Sequence, residues 1–135
     1  MASYFYPMET SITPLLDGLL YPSESDEPVH YFSVEWPGDT MPLPGQIAAL
    51  LGKEGSPAPI ERDPSSFWEP VTTAQPWHSP EEHERTRRFI AIREIFEEHL
   101  IQITYFEVGR IEITLLLVGF YGGQLCGLVT KAVHT

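Results

Sequence analysis

The sequence predicts an α+β domain, a three-layer α/β/α sandwich around a mixed, largely antiparallel sheet, and three stretches carry that prediction. Residues 79–100 read as a capped amphipathic helix. Residues 103–135 read as three strands separated by glycine turns. The middle strand becomes apolar on both faces, which calls for helices on both sides of the sheet. At 135 residues the chain fits one domain spanning 1–135, long enough for a single core.

Residues 1–10 form an aromatic, flexible lead-in. Ser11 caps a first helix with Pro14 in its opening turns, and Leu15, Leu16, Leu19 and Leu20 supply its apolar face before Pro22 stops it. Ser23-Glu24-Ser25-Asp26-Glu27-Pro28 is a short acidic turn. From His30 to Trp36 polar residues alternate with β-formers, a strand with one face buried, and Pro37-Gly38-Asp39 ends it. Ile47, Leu50 and Leu51 are spaced for a short helix between Met41 and Gly52. Residues 53–77 read as a long Pro-rich connection holding Pro57, Pro59, Pro64, Pro70 and Pro76. A loop of that length is often functional, and prolines lower the entropy it loses on engaging a partner. The alternative is a structural wrap with Trp68 packed on the core.

The best-marked element starts at Ser79, whose N-cap hydroxyl and Glu82 form a capping box with Pro80 at the first helical position. Phe89, Ile92, Phe96, Leu100 and Ile103 recur at spacings of three and four, one stripe facing a sheet, and the helix runs to about Leu100. Strand-like runs follow at Ile103–Val108, Arg110–Phe120 and Gln124–Thr135, with Gly109 and Gly122-Gly123 as tight turns. Ile111, Ile113, Leu115 and Leu117 face one way; Glu112, Thr114, Leu116 and Val118 face the other.

Composition narrows the function. With 42% hydrophobic and 20% charged residues the chain resembles an ordinary globular protein. Its 8 Lys+Arg stand against 19 Asp+Glu, a formal net charge of −11, a field that repels phosphate and attracts basic protein surfaces. Direct nucleic-acid binding is therefore disfavoured. Residues 1–84 hold 14 acidic and 2 basic side chains and so carry the imbalance, while residues 85–135 hold 5 acidic and 6 basic. No apolar run approaches the roughly 20 residues that span a bilayer, and the N-terminus lacks the basic start and apolar stretch of a signal peptide. Cys126 is the single cysteine, which forbids an intrachain disulfide and suits a reducing, cytoplasmic setting. In its apolar run it reads as a small buried hydrophobe.

The local catalytic patterns fail in this sequence, while a Ser/His/Asp triad drawn from distant positions stays open. His78 and His83 flank Glu82 but lie five apart, whereas helical zinc sites need histidines at i and i+4. Gly122-Gly123 lies between strands and opens no helix, so it makes no phosphate cradle. No serine occupies a Gly-x-Ser-x-Gly elbow. The expectation is a non-enzymatic binding protein with no cofactor and no metal of its own; a general acidic protein-binding module and, more remotely, a small hydrolase are the alternatives. Glu24 and Asp26, between Ser23, Ser25 and Glu27, are the most unusual local feature. Turn carboxylates are commonly just solvated, but these have the oxygen chemistry to reach a partner's hard cation.

Asp17-Gly18-Leu19-Leu20-Tyr21-Pro22-Ser23-Glu24-Ser25, followed by a β-type run and Trp36, resembles the opening motif of the nuclease A inhibitor (NuiA-like) family. Thr72-Thr73-Ala74-Gln75-Pro76-Trp77 and the ending Gly127-Leu128-Val129-Thr130-Lys131-Ala132-Val133-His134-Thr135 are similar to that family's later signatures. The resemblance implies a sandwich related to the plant pathogenesis-related (PR-1-like) fold. It also implies a monomer that occludes, in a 1:1 complex, a sugar-non-specific DNA/RNA endonuclease of the ββα-metal class. By the same resemblance Glu24 and the C-terminal Thr135 reach the nuclease's magnesium region, Gln75 and Trp77 match further contact positions, and Ser23, Ser25 and Asp26 belong to the contacting turn. An aromatic start, Pro22 and Pro76 depart from the family pattern and bear on which nuclease is the target.

Overall fold

Two consecutive glycines organise the C-terminal third. In the computed structural model, which describes residues 7–55 and 57–135, Gly122 and Gly123 take φ values of 59° and 77°, the left-handed pair that a two-residue hairpin turn requires. They join β6 (Glu112–Tyr121) to β7 (Gln124–Val133) in an unbroken antiparallel register from Tyr121↔Gln124 to Glu112↔Val133. On the far side of β7 lies β3 (His30–Glu35); on the far side of β6 lie β5 (Ile101–Val108) and then β4 (Ile60–Arg62). Every pairing in this five-stranded sheet is antiparallel, so the expected mixed character is corrected to a uniform one. A two-stranded ribbon of β1 (Leu20–Tyr21) and β2 (Glu27–Pro28) forms a second sheet beside β7. The described residues thus form an α+β fold.

Side-chain alternation along the strands builds a core on each face of the sheet. One core combines Tyr105, Leu115, Leu117, Leu128 and Ala132 with buried residues of α1 (Pro7–Leu16), α3 (Ser65–Thr72) and α4 (Pro80–His99). The other combines Phe106, Leu116, Val118, Phe120 and Leu125 with Ile47 of α2 (Pro44–Leu50). The expected division of β6 therefore holds, except that Ile111 precedes the strand and is exposed.

The start of α4 is as expected: Ser79 Oγ accepts from Glu82 N–H at 3.1 Å, and Ser79 N–H donates to Glu82 Oε1 at 2.9 Å. Phe89, Ile92 and Phe96 are fully buried. The stripe stops at Leu100, however, because Ile103 already lies in β5 and follows the two-residue rather than the helical period. A bulge between Ile101 and Thr104, with Gln102 at φ 60°, makes the change of direction.

Three further expectations need correction. The first helix begins at Pro7, not near Ser11; Met8 and Ile12 are its buried face and Pro14 sits inside it. Residues 7–10 are therefore helical, while the reading of 1–6 as a flexible lead-in lies outside the described residues. Leu19 and Leu20 leave the helix at Gly18, φ 70°, and Leu20 enters β1. Residues 53–77 hold β4 and α3 and are not one connection. Asp63 Oδ1 accepts from Ser65 N–H at 2.9 Å to cap α3, and Phe67, Trp68 and Val71 are buried, which offsets the bond that Pro70 removes inside the helix. Trp68 is the core residue that the structural alternative required.

The close pairing of three strands leaves no room for a side chain at residue 127. Gly127 faces Phe32 on one neighbour and Val118 on the other, and a Cβ there would run into the Leu117 carbonyl oxygen. Gly127→Ala should therefore destabilise the fold by about 3 kcal/mol or more, as overpacking against backbone does. Urea denaturation of the variant beside the wild type measures the loss.

Candidate functional site at the chain end

The pairing of β6 with β7 delivers the C-terminus to the acidic turn. Residues 22–26 connect β1 to β2, and Ser23 Oγ accepts from Val133 N–H at 3.0 Å while donating to the Ser25 carbonyl at 2.6 Å. Glu24 N–H donates to the Val133 carbonyl at 3.3 Å. A little further back, Thr130 Oγ1 donates to the Pro28 carbonyl at 2.8 Å. On the opposite side His134 N–H donates to the Ile111 carbonyl at 2.9 Å. The chain end is thus held from both flanks although His134 and Thr135 are exposed.

Glu24 closes the arrangement. One carboxylate oxygen accepts from Thr135 N–H and the other from Thr135 Oγ1, each at 2.5 Å. These bonds, the hydroxyl's first, together with the nearby His134 charge hold the Glu24 carboxyl below the usual carboxylate range, although the group is open to water. Asp26 is exposed beside it. Ser23 and Ser25 are half-buried; Ser23 binds within the turn and to β7, and Ser25 Oγ donates to Glu27 Oε2.

Gln75 and Trp77 sit on the segment before α4. Trp77 is 77% exposed, the most open large hydrophobic side chain among the described residues, and Gln75 is half-buried. Because α4 passes directly into β5 at Leu100, the chain reverses there, and the start of α4 lies toward the sheet end where β5 finishes and β7 ends. Phe89 of α4 meets Tyr21, two residues before Ser23, with ring centroids 6.0 Å apart. Arg88 Nη1 donates to the Asp17 carbonyl at 2.6 Å. These contacts hold α4 against the segment that leads into the Glu24 turn, while Trp77 itself sits on a different element.

Among the described residues no group of three His, Cys, Asp or Glu side chains is arranged to hold a metal. No described helix is long and apolar enough to cross a membrane. Cys126 is buried and its thiol is pushed up by that burial, which disfavours the thiolate a nucleophile needs.

A family model described as nuclease A inhibitor-like protein matches residues 7–135. The chain belongs to the nuclease A inhibitor-like family. No curated protein matches it. Residues 7–135 take in all three segments that carry the sequence resemblance, and residues 37–70, which carried none of it, fall inside the same match.

Acid should unlatch the chain end. Since folding lowers the Glu24 pKa from an ordinary 4.5, the contribution of its bonds is complete above that value and is lost as pH falls through the lowered one. The Thr135 amide resonance should follow this titration, with a midpoint below 4.5; Glu24→Gln should abolish it. Ser23→Ala should cost about 1 kcal/mol, the net worth of a hydrogen bond, and should speed hydrogen exchange at the Val133 amide.

Proposed function

We propose that this protein inhibits a sugar-non-specific DNA/RNA nuclease of the ββα-metal class by occluding its active site as a monomer in a 1:1 complex. The observation that carries this reading is the pairing of Glu24 with Thr135, which assembles carboxylate and hydroxyl oxygens at one exposed point. A nuclease active site is built to hold an anion beside a divalent cation, and such cations take oxygen ligands or their bound waters. The α-carboxyl of Thr135 adds to the Glu24 side chain, since terminal carboxyls ionise at about 3.3–3.7. Both charges are therefore present at neutral pH.

The rest of the molecule supports the same role. A net charge of −11 speeds encounter with a basic cleft, more at low salt, and opposes competition by nucleic acid. Trp77 offers an aromatic anchor already exposed to a partner, and Gln75 stands two residues away. In this reading the chain performs no chemistry, and the divalent ion belongs to the nuclease.

The experiment is inhibition of a ββα-metal nuclease by three altered chains: Glu24→Gln, a C-terminal extension beyond Thr135, and both together. Each single change should raise the inhibition constant about 30-fold or more, the effect of losing a dominant interface residue. Wild-type potency in the doubly altered chain would refute the insertion of the chain end.

A further inference from the structure

The segment that displays Trp77 is closed by two reciprocal hydrogen bonds. His78 N–H donates to the Gln75 carbonyl at 3.1 Å, and Gln75 N–H donates back to His78 Nδ1 at 3.2 Å. Pro76 takes the second position of this four-residue turn, where its fixed φ is favourable, and Trp77 takes the third. The His78 ring lies 6.2 Å from the Trp77 ring and 5.8 Å from that of His83, each edge to face. Glu82 of α4 lies close enough that a charge on the His78 ring would act on it. Glu69 of α3 lines, with Thr73, Gln75 and His78, the groove between α3 and the segment that precedes α4.

We propose that His78 is a positioning residue: its neutral imidazole, by accepting the Gln75 N–H, fixes the turn that presents Trp77 to the partner. The partner rests on the nuclease reading above, whereas the chemistry of the turn does not. A neutral imidazole has one acceptor nitrogen and an imidazolium has none. Protonation would therefore set Nδ1–H against the Gln75 N–H donor, and Glu69, Glu82 and the water around them would draw the charged ring away. Histidine is the side chain that ordinarily changes charge between about pH 5 and 8. Protonation of the ring thus removes one of the two bonds closing the turn, and a less ordered Trp77 costs more to fix on docking.

The test begins with the free full-length chain. NMR should show protection of the Gln75 amide falling about fivefold between pH 8 and pH 5, the effect of one ordinary hydrogen bond, with the midpoint of the His78 ring titration. His78→Asn, whose Oδ1 replaces Nδ1 as acceptor, should keep the protection without that pH dependence; His78→Ala should lack it throughout. Dissociation constants for a ββα-metal nuclease at pH 8 and pH 6 should then diverge about threefold more for the wild type than for His78→Asn, somewhat less than the hydrogen bond's full worth. An unchanged Gln75 amide while the His78 ring titrates, or equal pH dependence in the two proteins, overturns the proposal. A wild-type chain that binds no such nuclease overturns the nuclease reading instead, and the amide measurement still decides the role of His78.

Discussion

A two-residue turn at Gly122-Gly123 sets the register of the longest strand pair, and most of the molecule is placed relative to that register. Because side chains alternate across a strand, a slip of one residue would carry Leu115, Leu117 and Leu128 to the wrong face and exchange the two cores. β7 is also the strand on which β3 pairs, so the same register carries to the sheet edge. At its far end it fixes Val133 opposite Glu112, which holds the adjoining His134 and Thr135 close to a rigid strand.

That placement explains why an exposed acidic turn can be ordered. Residues 22–26 lack a core of their own, and turn carboxylates commonly move freely in water. Here Ser23 and Glu24 bond to Val133, and Glu24 also bonds to Thr135. Glu24 and Thr135, at the heart of the proposed function, are already bonded to each other, which reduces the ordering cost of association. The Trp77 turn follows the same rule through a different device, with Pro76 and His78 supplying the constraint. Gln-Pro-Trp-His carries a proline suited to a turn, but the zinc spacing that His78 fails says nothing of the acceptor role its ring takes.

The regions misread from sequence share one cause. At Asp63-Pro64-Ser65 the local signal for a helix start is present, an acidic cap followed by proline, but five prolines across residues 53–77 suggested a connection. α3 tolerates Pro70 because Phe67, Trp68 and Val71 are buried against the main core, and Tyr21 Oη donates to the Phe67 carbonyl at 2.8 Å. β4 has three exposed residues and takes its form from pairing with β5. In α1, Met8 reaches the core ahead of the cap expected at Ser11, and Ile12 joins it one turn later. Contacts with distant residues decided each of these elements, burial for α1 and α3 and strand pairing for β4.

The sequence by itself determined the long capped helix, the three C-terminal strands, their glycine turns and the burial of Cys126, because periodicity, capping and turn chemistry act over a few residues. It also carried the family resemblance, in segments that the family match encloses. Only the tertiary structure decided that the sheet is antiparallel throughout, that residues 53–77 hold a strand and a helix, and that Glu24 bonds to Thr135. Those outcomes depend on groups separated by as many as 111 positions in the chain. Local pattern is silent about such pairs until a common register brings them together.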